Sequence, residues 1–220
     1  MNVTFKTTTK PEDAANFVAS SISHQLGLGN RVLFFVPGGS AIAVAVKISD
    51  IIRKQPHENL TIMLTDERYG EINHPDSNWF QLKEQGFSLP EAKIIPVLMG
   101  AKPEETVAKF NENLEQELKL SQYKIGLFGM GSDGHTAGIL PLSPAAQSSS
   151  LSSYYNTPTF SRITVTKNVL EKLDEAVLWV QGENKWQALK DLEKNIDEKE
   201  QPVQMLKKVK KLSIFTDFRP

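Results

Sequence analysis

The chain alternates short apolar runs with amphipathic segments, and this alternation predicts the class of fold. Seven runs rich in β-branched and aromatic residues are predicted to be strands: 31–36, 60–65, 93–98, 123–128, 162–166, 175–181 and 211–216. Four other segments carry apolar residues at helical spacing and are predicted to be helices: 11–26, 40–54, 103–119 and 184–196. Strands that are apolar along their whole length favour a sheet covered on both faces. We therefore predict an α/β fold with a largely parallel sheet flanked by helices on both faces.

Two segments of biased composition interrupt this alternation. The serine-rich stretch 145–161 is predicted to be a surface loop rather than a linker, because strands continue on both sides of it. The basic run 206–212 contains no aromatic residues and is predicted to be a solvated helix end before the last strand, not a nucleic-acid patch. With no internal repeat, residues 1–220 are expected to form a single α/β domain.

The composition excludes several classes of ligand and of chemistry. The 220 residues carry a formal net charge of -1, so no overall field favours nucleic acid or an anionic membrane surface, and a small molecule is the expected partner. The absence of cysteine excludes disulfides, thiolate metal ligands and a cysteine nucleophile. The N-terminus lacks a basic start followed by an apolar core, and no apolar stretch approaches the ~18 residues of a membrane span. We expect a cytoplasmic protein.

The stretch "GMGSDGHTAGILP", residues 129–141, follows a predicted strand and contains the spacing G-x-G-x-x-G. A dinucleotide-binding turn also needs a full helix and an acidic residue roughly 20 positions further on. Pro141 ends any helix here after barely two turns. No Asp or Glu lies between Asp133 and Glu171. The glycine spacing therefore does not indicate a nucleotide site.

Asp133 and His135 make this turn a candidate for chemistry instead. Glycines allow a close approach of the backbone to a ligand, and the N–H groups of a short helix after the turn can face an anion. Histidine exchanges protons near neutral pH, which suits general acid/base work. The alternative is that Asp133 caps the short helix while His135 packs against the sheet.

Other predicted strands are also followed by glycine or charged residues. Gly38, Gly39 and Ser40 follow 31–36 and can bind a phosphate, or Ser40 is an ordinary helix cap. Arg68 follows 60–65 and can bind a phosphate, or it forms a surface ion pair with a neighbouring acid. Lys185 lies at a predicted helix start, where a nearby anion would explain the cation. Because ligands bind beyond the carboxyl ends of parallel strands, these residues together predict a site for a phosphorylated small molecule.

Four blocks carry a family resemblance: "VPGGS", "LTDERYGEINHPDSNW", "GMGSDGHTAGILP" and "RITVTKNVLEKLDEAVLWVQGENKWQAL". In this order, over about residues 32–190, they resemble the 6-phosphogluconolactonases, a branch of the glucosamine-6-phosphate isomerase/lactonase superfamily. The resemblance implies a modified Rossmann-like α/β fold without a nucleotide. It also implies hydrolysis of 6-phosphoglucono-δ-lactone to 6-phosphogluconate in the oxidative pentose phosphate pathway, with no metal or organic cofactor.

The resemblance assigns roles to particular residues. His135 is implied to be the general base that takes a proton from the attacking water, with Asp133 beside it as a supporting or sugar-hydroxyl contact, like Asp66. Arg162 is a further candidate anion ligand, or else a surface charge at a strand edge. The residues expected to bind substrate are Gly38, Gly39, Ser40, Asp66, Arg68, Gly131, Arg162 and Lys185. A monomer or homodimer is expected.

Two alternatives remain, and the sequence departs from the family pattern in places. Glucosamine-6-phosphate deaminases share Asp-Gly-His but continue with Asn-Glu-Pro, where this chain has Ile139, Leu140 and Pro141. A non-catalytic sugar-phosphate sensor is the second alternative, although no room is left for a DNA-binding module before the first strands. The departures are Ala41 where the family usually has proline, and Gly138 and Ile139 where it usually has serine and leucine.

Overall fold

The computed structural model describes residues 2–219, and a seven-stranded sheet is its frame. The strands of this sheet are β1 (Asn2–Thr7), β2 (Val32–Val36), β3 (Leu60–Leu64), β5 (Lys93–Ile95), β6 (Tyr123–Gly129), β9 (Glu175–Val180) and β10 (Lys211–Thr216). Their order is β1-β10-β9-β6-β2-β3-β5, and every neighbouring pair is parallel. β2 and β3 are buried along their whole length, so both faces of the sheet are covered. The predicted α/β fold with a largely parallel sheet is confirmed.

A second, three-stranded antiparallel sheet lies beside the first. It consists of β4 (Asp66–Arg68), β8 (Ser161–Val165) and β7 (Ser152–Asn156), in that order. The prediction of 145–161 as a loop is wrong, since β7 lies within it, where Tyr154 and Tyr155 favour a strand. The predicted strand 162–166 exists but belongs to this small sheet. The short connection from β7 to β8 makes the two strands a hairpin, which is antiparallel.

The helices are α1 (Pro11–Gly27), α2 (Ile42–Ile52), α3 (Asn78–Glu84), α4 (Pro103–Leu120), α5 (Pro144–Gln147), α6 (Lys167–Leu170) and α7 (Trp186–Lys190). α1 and α4 begin with proline followed by acidic residues, which suits the N-terminal end of the helix dipole. The predicted helix 184–196 is instead α7 flanked by two single-turn 3₁₀ helices, Glu183–Lys185 and Asp191–Glu193. Among residues 2–219, no helix has the length and apolar character to cross a bilayer.

The basic run 206–212 ends a helix just before the last strand, as predicted, and the part of this helix that precedes the run is buried. A 3₁₀ helix spans Pro202–Lys208, and its residues from Pro202 to Leu206 are buried. Only the lysines remain at the surface: Lys207 donates to the carbonyl oxygens of Leu192 and Lys194, and Lys208 pairs with Glu198. The helix therefore ends at Lys208, just before β10, with its lysines at the surface as predicted, while its apolar residues pack into the fold.

The strand order determines where a site can form. β9, β6, β2 and β3 are consecutive neighbours in the parallel sheet. The loops that follow them therefore meet at one edge, at the carboxyl ends of the strands. β4 follows β3 after a single residue, Thr65, so the small sheet forms one wall at the same edge.

Candidate active site

A pocket of about 440 Å³ lies at this edge of the sheet. Every predicted site residue except Asp133 lines it: Gly38, Gly39, Ser40, Asp66, Arg68, Gly131, His135, Arg162 and Lys185. Asp133 lies directly behind His135. Residues from four strand ends and from the small sheet are thus brought together, as the parallel-sheet rule predicts.

His135 is held by Asp133 at one ring nitrogen. Oδ1 of Asp133 accepts the backbone N–H of His135 at 3.1 Å and lies 2.6 Å from Nδ1. A carboxylate at Nδ1 requires the proton there, which leaves Nε2 of the neutral ring with a free lone pair. Within residues 2–219, Nε2 has no hydrogen-bond partner. The imidazole can therefore accept a proton from a group bound in the pocket.

The environment of Asp133 keeps it ionised. Partial burial by itself raises the pKa of this carboxyl, but the N–H and the imidazole of His135 outweigh burial and hold the pKa below its usual range. A carboxylate that stays charged stabilises a protonated imidazole beside it. The pair can thus take up and release a proton during a reaction.

We call residues 130–136 the His135 turn, and it is not followed by the short helix that the sequence predicts. Thr136 forms antiparallel bridges with Met130 and Ile139, and its hydroxyl donates to the carbonyl oxygen of Gly129 at 2.8 Å. Ala137 has φ of 50°, outside the right-handed helical region. The chain folds back on itself, so Asp133 does not cap a helix, and a helix N-terminus cannot supply anion-binding N–H groups here.

Glycine is required inside the His135 turn. A Cβ at Gly131 would lie 2.2 Å from Cε1 and Nδ1 of His135, far inside contact distance. The imidazole therefore lies against the backbone of Gly131. The same holds at Gly38, where a Cβ would lie 2.1 Å from Oδ1 of Asn78. Both glycines permit a side chain of the site to pack directly on the main chain.

The turn after β2 leads into α2 through a single 3₁₀ turn, Gly39–Ala41. Gly39 has φ of 63°, which favours glycine. Neither this turn nor α2 has a side-chain cap, so the interpretation of Ser40 as an ordinary N-cap is not supported. Ser40 is one of the residues that line the pocket.

Arg68 and Arg162 form a cationic pair on the wall made by the small sheet. They are directly opposite each other in the register of β4 and β8. Both guanidinium carbons lie near the ring of Phe160, at 5.2 and 5.6 Å from its centroid. Like charges opposite each other on antiparallel strands are destabilising, so an anion bound between them would relieve the repulsion.

The remaining contacts of these arginines leave donors free. Nη1 of Arg68 donates to the carbonyl oxygen of Asp76 at 3.0 Å, and Nη1 of Arg162 lies 3.8 Å from Oδ2 of Asp66. The Nε atoms of both arginines are buried and have no partner within the described part of the chain. Arg68 does not form the surface ion pair that was its alternative interpretation. Glu67 accepts only its backbone N–H, at 2.8 Å, and residues 2–219 place no carboxylate oxygen within 4 Å of its guanidinium.

Glu67 stabilises the start of α3 through hydrogen bonds. Its buried carboxylate accepts the N–H groups of Asn78 at 2.6 Å and Trp79 at 3.1 Å, and the hydroxyl of Ser77 at 2.9 Å. Burial raises the pKa of Glu67, although these hydrogen bonds act in the opposite direction. The carboxylate thus satisfies N–H groups at the start of α3 and fixes Asn78 in the pocket wall.

Asn78 is a site residue that sequence reasoning missed. Its Nδ2 donates to the backbone oxygen of Asp66 at 2.8 Å, and its Oδ1 is buried with no partner among residues 2–219. The signal was the Ser-Asn pair in "HPDSNW", in which Ser77 caps α3. The other missed polar residues of the pocket are Thr65, Ser132 and Asn184.

Lys185 lies on the opposite wall, at the start of α7. Burial lowers the pKa of its ammonium, and the carboxylate of Asp217 acts in the opposite direction. Asp217 itself accepts the N–H groups of Gly182 at 3.0 Å and of the Trp186 indole at 2.9 Å. Within residues 2–219 no carboxylate lies within 4 Å of the Lys185 ammonium. A cation that is partly buried without a close counter-ion suits an anionic ligand.

Comparison with known proteins identifies relatives. The model of the family described as glucosamine-6-phosphate isomerases/6-phosphogluconolactonase matches residues 8–214. A 6-phosphogluconolactonase of Helicobacter pylori is 32% identical over 170 residues, which cover 74% of this chain and 70% of that protein. A 6-phosphogluconolactonase of Synechocystis sp. is 28% identical over 151 residues, 62% of this chain and 61% of that protein, so the match spans less than two thirds of the cyanobacterial protein.

Solved structures show the same fold over nearly the whole chain. A 6-phosphogluconolactonase from Shewanella baltica superposes with a TM-score of 0.82 at 22% identity, covering 98% of this chain and 97% of that one. A monomeric glucosamine-6-phosphate deaminase superposes with a TM-score of 0.79 at 19% identity, covering 98% and 97%. The fold is therefore common to both activities, and the choice between them depends on the residues of the pocket.

Proposed function

The chain belongs to the glucosamine-6-phosphate isomerase/6-phosphogluconolactonase family, and from this we propose that it hydrolyses 6-phospho-D-glucono-1,5-lactone to 6-phospho-D-gluconate. The observation that carries the proposal is the His135–Asp133 pair: Asp133 occupies Nδ1 of an imidazole that lines a pocket together with Arg68, Arg162 and Lys185. The imidazole supplies proton transfer, and the cations supply affinity for a phosphorylated substrate.

In the proposed reaction His135 acts as the general base. Its Nε2 takes a proton from water while the water oxygen attacks the lactone carbonyl carbon, and the charge of Asp133 stabilises the resulting imidazolium. The tetrahedral intermediate then collapses, and the bond between the carbonyl carbon and the ring oxygen breaks. The proton on His135 passes to the ring oxygen, which becomes the free hydroxyl of the gluconate.

The phosphate is held by the cations of the pocket. The phosphate is bound by Arg68 and Lys185, together with the turn formed by Gly38, Gly39 and Ser40. Arg162 adds a second guanidinium beside Arg68. Lys185 follows β9 and Arg68 follows β3, three positions away in the strand order, so the two residues approach the pocket from different strand ends. Arginine and lysine have long side chains, so Arg68 and Lys185 can reach inward from the two walls and contact the same small ligand.

Two roles are proposed for the acids of the pocket. Asp133 orients His135, as its contact with Nδ1 supports. Asp66 is buried and accepts the hydroxyl of Thr65 at 3.0 Å, with its second oxygen near the Nδ2 of Asn78 and the guanidinium of Arg162. We propose that it contacts a sugar hydroxyl or holds Arg162 in place.

The deaminase alternative is disfavoured by the segment after His135. Deaminases are expected to carry asparagine and glutamate where this chain has Ile139 and Leu140. Ile139 is fully buried in the apolar core. An apolar pair at this position supplies no carboxylate to assist ring opening of an amino sugar.

The test of the proposed function compares two substrates on one preparation. Freshly made 6-phosphogluconolactone is hydrolysed in a coupled assay, with the spontaneous rate subtracted, and glucosamine 6-phosphate is offered in parallel. We expect enzymatic lactone hydrolysis and no ammonia release. Deamination without hydrolysis would establish the sibling activity, and tight binding of 6-phosphogluconate with neither reaction would establish a non-catalytic sensor.

Further properties are proposed from the sequence. The enzyme acts in the cytoplasm on a small sugar phosphate, with no nucleic-acid or membrane partner and no metal or organic cofactor. It acts as one α/β domain, as a monomer or homodimer. The near-neutral net charge of -1 supports the absence of a nucleic-acid or membrane partner, and the family membership supports a small sugar phosphate as the ligand.

The lowered pKa of Lys185 predicts a pH dependence of product binding. In the free enzyme this ammonium loses its charge at a lower pH than the ordinary lysine value of about 10.4. The phosphate monoester is already dianionic above about pH 7.5, because its second pKa is about 6. Calorimetry should show that 6-phosphogluconate binds more weakly as pH rises from about 7.5 to 10.

Lys185→Arg is the matched control for this dependence, because arginine keeps its charge over the same range. We expect its affinity to stay flat with pH. The same decline in both proteins would assign the pH dependence to another group.

A further inference from the structure

Two buried glutamines, Gln201 and Gln204, lie between the His135 turn and the helix that follows Lys185. Their side chains are 6% and 2% exposed. Buried amides cost free energy unless they are hydrogen-bonded, so their partners show what they hold in place. Both belong to the C-terminal part of the chain, outside the four family blocks.

On one side Gln201 packs against the His135 turn. A Cβ at Gly134 would lie 2.4 Å from Cγ of Gln201, so the side chain of Gln201 covers the backbone of the turn. The next residue but one, Val203, donates its N–H to the carbonyl oxygen of Gly134 at 2.9 Å. Gly134 directly precedes His135, so Gln201 packs on the backbone next to the residue that carries the imidazole.

On the other side the same amide holds the Lys185 segment, residues 183–193. Nε2 of Gln201 donates to the carbonyl oxygen of Ala188 at 3.1 Å. Gln204 donates to Oε1 of Gln201 and to the carbonyl oxygen of Asp191 at 2.8 Å. The two amides thus form a chain of hydrogen bonds that ends on two carbonyls of this segment.

The Lys185 segment needs such anchors. It consists of three helical pieces of three to five residues, and helices this short have little stability of their own. Asp217 fixes the start of the segment through Gly182 and Trp186. Gln201 and Gln204 fix its later part. An apolar residue at 201 could fill the same space but could not direct a donor at Ala188.

We infer that Gln201 is a positioning residue that holds the His135 turn and the Lys185 segment at a fixed separation. The inference rests on the proposed function, in which His135 acts at the lactone carbonyl and Lys185 binds the phosphate of the same molecule. Gln201 itself contacts neither the lactone carbonyl nor the phosphate. It sets the distance between His135 and Lys185, which do. The packing on Gly134 controls the reaction step, and the hydrogen bond to Ala188 controls phosphate binding.

Two variants separate these contributions. Gln201→Leu keeps a Cγ over Gly134 but loses the donor to Ala188, so we expect KM for the lactone to rise about tenfold while kcat stays within about twofold. Gln201→Ala also uncovers Gly134, so kcat should fall about tenfold in addition. The dissociation constant of 6-phosphogluconate, measured by calorimetry, should rise about tenfold in both variants.

Ile22→Val is the control for lost stability alone, because Ile22 is a fully buried residue of α1 that does not contact the pocket. It should lower the thermal midpoint without changing KM or kcat. Folded Gln201→Leu and Gln201→Ala proteins with wild-type KM, kcat and product affinity would overturn the inference, as would identical kinetic changes in both.

A wild-type protein without lactonase activity would overturn the proposed function and not this inference. In that case the inference is tested by the affinity for 6-phosphogluconate alone. Binding by the Gln201→Leu protein that is about tenfold weaker than wild-type binding supports the inference, and unchanged binding overturns it.

Discussion

We expect His135→Ala to lower kcat for 6-phosphogluconolactone by about 10²- to 10⁴-fold, the usual contribution of a positioned general base. The reason is the geometry of the pair: Asp133 occupies Nδ1 at 2.6 Å and leaves Nε2 to accept the proton of the attacking water. The measurement is the initial rate of acid production above the spontaneous hydrolysis rate.

The His135→Ala protein should remain folded and bind 6-phosphogluconate with nearly wild-type affinity, because the cations of the pocket are unchanged. Asp133→Asn keeps the imidazole but removes both the negative charge that stabilises its protonated form and the acceptor that fixes the proton on Nδ1, so kcat should fall in this variant as well. Near-normal turnover by the His135→Ala protein would remove His135 from the role of base.

The second large effect is expected at Arg68. Arg68→Ala should weaken 6-phosphogluconate binding and raise KM by about 10- to 100-fold, because a charge-assisted hydrogen bond contributes about 1.5–3 kcal/mol. Of the two arginines that line the pocket, the Arg68→Ala protein keeps only Arg162, which lies beside Phe160. Calorimetry and steady-state kinetics measure the change.

Two control variants separate the effect of the charge of Arg68 from the effect of its position in the pocket. Arg68→Lys keeps the charge but loses the planar fork, so an intermediate affinity is expected. Arg53→Ala removes an equivalent charge outside the pocket, where Arg53 pairs with Asp50 at 2.9 Å, and should leave KM unchanged. Equal affinities of the wild-type and Arg68→Ala proteins would place the phosphate elsewhere.

The main sheet could be predicted from sequence because its central strands are apolar on both faces. β2, β3 and β9 lie within predicted strands, and β6 extends its predicted strand by one residue, Gly129. The edge strand β1 was missed because it contains only two apolar residues, Val3 and Phe5, and Phe5 is 46% exposed. The small antiparallel sheet was missed for a similar reason, since its short, partly polar strands resemble a loop in composition.

The pocket residues were predictable as a group because one rule places them: parallel strands end at the same edge. What the sequence could not supply is long-range contact. The pairing of Arg68 with Arg162 depends on the register of β4 and β8, which are separated by more than 90 residues in the chain. Asn78 enters the pocket only because the buried Glu67 fixes the start of α3.

The turn after β6 shows why local patterns mislead. The sequence predicts a short helix between this turn and Pro141, yet Thr136 bonds back to Gly129 and the chain reverses. Gly134 is needed because its φ is 78° and Gln201 lies against it, and a residue 67 positions later cannot be inferred from the motif.

The most direct test of the proposed function is the ratio of kcat/KM for 6-phosphogluconolactone to that for unphosphorylated glucono-δ-lactone. A pocket that combines the His135 base with Arg68, Arg162 and Lys185 should favour the phosphorylated lactone by at least about 10²-fold, the value of two charge-assisted hydrogen bonds. Equal values for the two lactones, or no rate above spontaneous hydrolysis for either, would contradict it.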